Sequence, residues 1–187
     1  MYVFSSAAPN LPWLDRPAPL VEAFANFGFA VAGLADIDGD GRGDVAATSP
    51  ESSAVGADLG GIAYIVSGDP NSSSFTALED PDPHRLAFMG GSIAALPDPN
   101  GVALPEIAVG SEMHRDPNGV RAGRVYVFAA AGGAPLLTLE SPTGDSCARF
   151  GWSVASAGDV DGDGVTDIIV GAPYHRADPR QVRADCF

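Results

Sequence analysis

The sequence contains no lysine, and its ten basic residues, all arginines, face 24 acidic residues for a formal net charge of -14. Because no basic stripe is present, the composition argues against nucleic acid and anionic membranes as partners. Histidine is also scarce, and His84, His114 and His175 stand in different loop segments without paired spacing. This favours solvated or hydrogen-bonded histidines over a catalytic set. Serine-nucleophile, phosphate-loop and zinc-helix motifs are absent from the sequence.

Cysteines and long apolar runs are equally rare. Cys147 and Cys186 are the only cysteines and form no Cys-x-x-Cys motif, which argues against zinc and redox sites. A disulfide and two free thiols both remain open. The apolar runs fall well short of the roughly 20 residues of a membrane span, and no signal-peptide pattern opens the chain, so we expect no direct membrane insertion. With 187 residues and 45% hydrophobic content, the composition indicates a packed protein.

Acidic residues are abundant, and two nine-residue segments hold eight of the 24. Both place aspartates at positions 1, 3, 5 and 9 and glycines at positions 4 and 6, as in Asp-Val-Asp-Gly-Asp-Gly-Val-Thr-Asp at 159–167. Calcium binds about six to eight hard oxygen ligands, which such a loop can turn inward together with a backbone carbonyl. The pattern predicts two Ca²⁺ sites. Their ligands are Asp36, Asp38, Asp40, the Arg42 carbonyl and Asp44, and Asp159, Asp161, Asp163, the Val165 carbonyl and Asp167.

The residues after each loop indicate the fold. In EF-hand and dockerin modules a helix follows the calcium loop, and a dockerin-like module is the alternative that predicts helices here. The apolar runs at 45–49 and 168–171 are instead short and closed by glycine or proline, which is typical of buried strands. Each loop is therefore predicted to join two strands.

The sequence repeats itself at intervals of about 61 residues. Phe27-Gly and Phe150-Gly precede the two loops, Met89-Gly takes the same place between them, and Tyr2, Tyr64 and Tyr126 recur in phase. Four short strands per unit with no helical period predict an all-β fold, a β-propeller segment of about three four-stranded blades. The strands are expected near 27–34, 44–49, 61–67 and 75–79, and near 90–95, 106–110, 124–129 and 135–140.

The Phe-Gly, Asp-x-Asp-Gly-Asp-Gly-x-x-Asp and Gly-Ala-Pro motifs at these spacings resemble the FG-GAP repeats of integrin alpha-subunit propellers. The middle copy is degenerate, because Val102 stands at position 5 of the loop at 98–106, and we expect no tight metal site there. The predicted units are a half-blade at 1–26, repeats at 27–88 and 89–149, and the first half of a repeat at 150–187.

The resemblance implies a calcium-stabilised, extracellular or cell-surface propeller that binds a protein or carbohydrate ligand. Because propellers close with four to eight blades, the sequence predicts either a fragment of a longer chain or a homodimer. In the homodimer, the half-blade at about 2–24 completes the half-blade at about 150–173 of a second copy, which makes six blades.

We expect a non-catalytic role, since every metal-ligand position is held by a protein oxygen. Ligand-binding candidates are the loops at 51–60, 111–122 and 174–183, with an arginine cluster in the last two (Arg115, Arg121, Arg176, Arg180 and Arg183). The alternative is the accessory propeller of a larger secreted enzyme. Arg42-Gly43-Asp44 matches an integrin-recognition tripeptide, but Asp44 is a predicted metal ligand. Asn71-Ser-Ser73 fits a glycosylation sequon.

Overall fold

The computed structural model describes residues 1–19, 25–54, 56–97, 104–116, 118–143 and 146–175, and these residues form strands, turns and bends with no helix. The all-β prediction is therefore confirmed. The dockerin-like alternative is wrong, because a strand follows each Asp-rich loop. None of the described residues builds a helix with the length and apolar character needed to cross a membrane.

Two antiparallel sheets of four strands form the centre of the molecule, and each follows the chain in order from strand to strand. Such sheets are the blades of a β-propeller. The first blade contains β3 (Val31–Gly33), β4 (Val45–Ser49), β5 (Ile62–Val66) and β6 (Phe75–Leu78). The second contains β7 (Met89–Leu96), β8 (Glu106–Ser111), β9 (Arg124–Ala129) and β10 (Leu137–Glu140). All eight overlap the predicted strands.

Two-stranded sheets flank the blades. The N-terminal hairpin pairs β1 (Tyr2–Ser5) with β2 (Ala8–Asp15), and the C-terminal hairpin pairs β11 (Ser153–Gly158) with β12 (Asp167–Gly171). By its position in the repeat, the N-terminal hairpin corresponds to the third and fourth strands of a blade. The C-terminal hairpin corresponds to the first and second strands.

The hydrophobic core lies between neighbouring sheets. Ala46, Ala63 and Ile65 of the first blade pack with Ile107 and Val109 of the second. The opposite face of the second blade packs on the C-terminal hairpin through a further cluster. That cluster includes Leu96, Ala108, Val125 and Val127, with Phe150, Val154, Ile168 and Val170 packed against them. Phe150 thus lies in the gap between the two sheets.

Glycine allows the sheets to approach closely at one equivalent point in each repeat. Gly61 forms a parallel bridge with Met89, and Gly123 forms one with Phe150. Both glycines have positive φ (83° and 85°), and a Cβ at either would collide with the backbone of its partner residue. Side chains larger than hydrogen are therefore excluded where one blade passes to the next.

Cys147 is disulfide-bonded. Cys186, the other cysteine of the chain, lies outside the described residues. Among the described residues, therefore, no cysteine is a free thiol.

Candidate metal centres

The first loop, residues 36–44, joins β3 to β4 and turns its carboxylates inward through hydrogen bonds from its own backbone. Asp36 accepts the amides of Gly39 (2.7 Å), Asp40 (3.1 Å) and Gly41 (2.8 Å). The Asp40 amide also donates to Asp38 Oδ1 at 3.2 Å. Gly39 and Gly41 have φ of 81° and 86°, the left-handed conformation that glycine adopts without strain. The turn therefore positions carboxylates at positions 1 and 3.

The second loop, residues 159–167, joins β11 to β12 and repeats these bonds position for position. Asp159 accepts the amides of Gly162 (2.7 Å), Asp163 (3.1 Å) and Gly164 (3.0 Å). The Asp163 amide donates to Asp161 Oδ1 at 3.1 Å. Because two distant segments adopt the same network, the geometry is a property of the nine-residue motif.

The aspartate at position 9 closes each loop. Asp44 Oδ2 accepts the amide of Ile37 at 2.8 Å, and Asp167 Oδ2 accepts the amide of Val160 at 2.7 Å. These bonds join the last residue of the motif to its second. The final carboxylate is thereby drawn back toward the start of the loop.

The carboxylates converge closely enough to share a cation. In each loop three residues offer one oxygen apiece within 4.8 Å of the others: Asp36, Asp38 and Asp40 in the first, and Asp159, Asp161 and Asp167 in the second. Oxygens on opposite sides of a calcium ion stand about 4.6–5.2 Å apart, since each lies about 2.3–2.6 Å from it. The donor set, entirely carboxylate, fits a hard cation such as Ca²⁺. Asp44 and Asp163 belong to the same loops but not to these groups of three.

Asp44 is 4% exposed. Its Oδ1 accepts the amide of Gly68 at 2.9 Å, in addition to the Ile37 bond at Oδ2. A buried carboxylate with both oxygens engaged is not presented to a receptor. The Arg42-Gly43-Asp44 tripeptide is therefore a part of the loop and not an exposed recognition motif.

Several predicted features fall in parts of the chain that the structure does not describe. Positions 1, 3 and 5 of the degenerate middle loop, Asp98, Asn100 and Val102, lie outside the described residues. So do Arg176, Arg180 and Arg183. Of the arginine cluster, Arg115 and Arg121 are described, and they face each other across an antiparallel bridge.

The structure also brings together a group that the sequence analysis missed. Asp82, His84 and His114 offer ligand atoms within 4.8 Å of one another. The rings of His84 and His114 are 4.7 Å apart between centroids, although 30 residues separate them in sequence. One signal was available, because His114 and His175 occupy equivalent positions in successive repeats. The partner residues of His114, however, come from a different loop.

Comparison with known proteins agrees with these observations. A family model described as FG-GAP repeat matches residues 150–182. The chain is 29% identical over 173 residues to human phosphatidylinositol-glycan-specific phospholipase D, covering 84% of this chain and 20% of that protein.

Two integrin alpha subunits are also similar. Mouse integrin alpha-8 is 28% identical over 158 residues (82% of this chain, 14% of that protein), and human integrin alpha-IIb is 35% identical over 138 residues (63% and 13%). The chain thus spans a fifth or less of the length of these relatives. Its four-stranded sheets, its recurring Phe-Gly positions and these matches agree: the chain is an FG-GAP repeat protein that resembles integrin alpha subunits.

Proposed function

We propose that this chain is a calcium-binding, non-catalytic β-propeller module with one Ca²⁺ site in each Asp-rich loop. The observation that supports the proposal best is the hydrogen-bond network common to residues 36–44 and 159–167, which aims carboxylates at a common point in both. The proposed ligands are the four aspartates of each loop and the backbone carbonyls of Arg42 and Val165. The proposed repeat units are 27–88 and 89–149, flanked by half-blades at 1–26 and 150–187.

The proposed role of calcium is structural. Carboxylates held a few ångström apart repel one another by about 1 kcal/mol or more per pair at a surface-like dielectric. A divalent cation removes that repulsion and fixes the turn between the first two strands of a blade. Protein oxygens occupy the coordination positions, so no open position for activating water is proposed.

Calorimetric titration of Ca²⁺ into chelator-treated protein tests the proposal. We expect two binding sites, and we expect Asp38→Ala and Asp161→Ala each to remove one of them. Asp58→Ala is the matched control, because Asp58 is an exposed aspartate that pairs with Arg85 and lies outside both loops. Three equivalent sites would contradict the reading of the middle copy. No calcium uptake, or equal losses in the control, would contradict the proposal itself.

We further propose an extracellular or cell-surface location, where the module binds a protein or carbohydrate ligand through the loops at 51–60, 111–122 and 174–183. Support comes from the similarity to integrin alpha subunits and from the convergence of Arg115 and Arg121. Burial lowers the pKa of Arg121, and repulsion from the neighbouring Arg115 lowers it further. An acidic carbohydrate or peptide would relieve this repulsion.

Binding of a sulfated polysaccharide such as heparin, measured at several salt concentrations, tests the arginine pair. We expect Arg115→Ala and Arg121→Ala to weaken binding, while Arg85→Ala, an exposed arginine in another loop, leaves it unchanged. Equal effects of all three variants would indicate nonspecific charge attraction.

The second candidate function is the accessory propeller of a larger secreted enzyme. It is favoured by the similarity to phosphatidylinositol-glycan-specific phospholipase D, which covers 84% of this chain. The sequence of the full-length gene distinguishes the two functions, because an accessory propeller must be joined to a catalytic domain.

Completion of the two hairpins by further strands is also proposed. The C-terminal hairpin exposes Ile169 (60%), and the N-terminal hairpin exposes Tyr2 (62%) and Phe4 (56%). In a complete blade, β12 takes the place of β4, and a strand such as β1 takes the place of β5. With the register of β4 and β5, Val170 would then lie opposite Tyr2. The partner strands come either from a second copy, as a six-bladed homodimer, or from the rest of a longer chain. Sedimentation at micromolar concentration distinguishes a dimer from a monomer.

A further inference from the structure

A group of ionisable side chains lies at the connection between the two blades, away from both Asp-rich loops. Asp80, Asp82 and His84 belong to the segment between β6 and β7, and His114 lies just after β8. The segment is well anchored there, because Asp82 N donates to Asp80 Oδ1 (2.9 Å) and Ser111 Oγ donates to the carbonyl of Ala87 (3.0 Å). The connection therefore holds its side chains in a defined position against the second blade.

His114 is buried and has one nitrogen without a partner. Its side chain is 1% exposed, and its Nε2 has no hydrogen-bond partner in the described part of the chain. Its other nitrogen, Nδ1, lies 3.3 Å from Asp80 Oδ2. Because a buried polar atom without a partner is unfavourable, Nε2 is the atom at which a ligand would be accommodated.

The neighbours of His114 complete a donor set for a transition metal. Ligand atoms of Asp82, His84 and His114 lie within 4.8 Å of one another. The Nδ1 atom of His84 is 2.6 Å from the Asp82 carbonyl oxygen, which leaves its Nε2 for a ligand. Two imidazoles and one carboxylate suit zinc and similar ions, whereas calcium prefers oxygen ligands alone.

Asp80 is placed to orient His114. It is buried, and the Tyr126 hydroxyl donates to its Oδ1 at 2.7 Å. His114 Nδ1 lies 3.3 Å from Asp80 Oδ2 and 3.5 Å from the Tyr126 hydroxyl oxygen, and these two acceptors favour the tautomer with the proton on Nδ1 and the lone pair on Nε2. Metal-bound histidines commonly have such a partner.

We propose that Asp82, His84 and His114 form a binding site for a divalent transition metal of the zinc class, with Asp80 as a positioning residue. Water completes the tetrahedral coordination. The bound ion joins the connection between the blades to the loop after β8 and satisfies the buried Nε2. This inference involves residues separate from the two proposed calcium loops and does not depend on them.

Titration of Zn²⁺ into the whole chain tests the site, with Ca²⁺ in millimolar excess so that the Asp-rich loops are not available to zinc. We expect one saturable zinc site per chain. His84→Ala and Asp82→Asn are expected to weaken zinc binding at least about tenfold, since each removes a ligand from the partly or largely exposed side of the site. Asp80→Asn is expected to weaken it about 10- to 100-fold.

His175→Ala is the matched control. His175 occupies the equivalent position one repeat later, where its Nδ1 lies 3.3 Å from Thr143 Oγ1. We expect this variant to bind zinc as the parent does. X-ray absorption of the zinc-loaded protein should detect imidazole nitrogens at about 2.0–2.1 Å.

Three results would overturn the proposal. The first is the absence of saturable zinc uptake, which is expected if Asp80 and His114 form only an ion pair. The second is a loss of zinc affinity in His175→Ala equal to that in the ligand variants. The third is coordination of the bound zinc by oxygen alone. His114 is too deeply buried for its substitution to be a clean test, so the exposed ligands His84 and Asp82 decide the outcome.

Discussion

The two Asp-rich loops share one hydrogen-bond network but differ in their surroundings. In the first, Asp44 is 4% exposed and also accepts the amide of Gly68, just after β5. In the second, Asp167 is only partly buried, and Val160 is the one amide among the described residues that donates to it. The difference shows that the motif determines the conformation of the loop, whereas burial of the aspartate at position 9 depends on the third strand of a complete blade.

The largest expected difference between the loops follows from replacing position 9. In the calcium-free protein, Asp44→Ala leaves the amides of Gly68 and Ile37 without acceptors, one of them buried, and should cost about 2–3 kcal/mol of unfolding free energy. Asp167→Ala exposes one amide to water and should cost about 1 kcal/mol or less. Urea denaturation in chelator measures both. Equal losses would mean that the surroundings of Asp44 contribute nothing.

Disrupting the contact between the first loop and the turn after β5 should remove the extra stability that this contact gives to the first loop. A Cβ at Gly68 would collide with the Gly43 carbonyl oxygen, so Gly68→Ala should destabilise the protein by about 1–3 kcal/mol through overpacking. Gly33→Ala is the control, since a Cβ there meets no atom within 4 Å. Calcium affinity of the second loop should be unchanged in both variants. A change there would show that the loops are coupled.

Calcium should order the second loop more than the first, because the first is already held by Gly68. At a tenfold excess over the dissociation constant, each occupied site should add about 1.4 kcal/mol to the unfolding free energy. Hydrogen exchange with and without calcium should therefore change more for residues 159–167 than for 36–44. A larger change in the first loop would reverse the comparison.

The smallest expected effect concerns position 7. Arg42 lies 3.6 Å from Asp40 and 3.7 Å from Asp69, and its side chain is 44% exposed, whereas the second loop has Val165 at this position. An exposed pair of this kind is worth about 0–1 kcal/mol. Exchanging the residues, Arg42→Val and Val165→Arg, should raise calcium affinity of the first loop and lower that of the second by a few-fold, less so at high salt. Calorimetric titration of variants in which only one of the two calcium loops is intact measures the change in calcium affinity.

Much of the fold was predictable because it is encoded in short segments. The strands after the loops were identified from apolar runs closed by glycine or proline, and β4 and β12 occupy these places. The strand β3 is shorter than predicted, covering Val31–Gly33 within the expected 27–34. Residues 27–30 form turns and bends in which the Gly28 amide bonds to the Thr48 carbonyl at 2.8 Å, a long-range contact that the local pattern does not contain.

The candidate sites likewise differ in whether the sequence could predict them. The Asp-rich loops were predictable residue by residue, because each network closes within nine residues and glycine permits the turn. The group of Asp82, His84 and His114 was not, because its members meet only when the connection after β6 packs against the loop after β8. The spacing of the histidines along the chain does not predict that packing.

By itself the sequence determined the repeat, the strand positions and the inward turn of the carboxylates, since hydrogen bonds between near neighbours are set by local residue types. Only the tertiary structure decided that Asp44 is buried and that the buried His114 faces Asp80. These depend on the register and close approach of neighbouring blades, which bring together residues far apart in the chain.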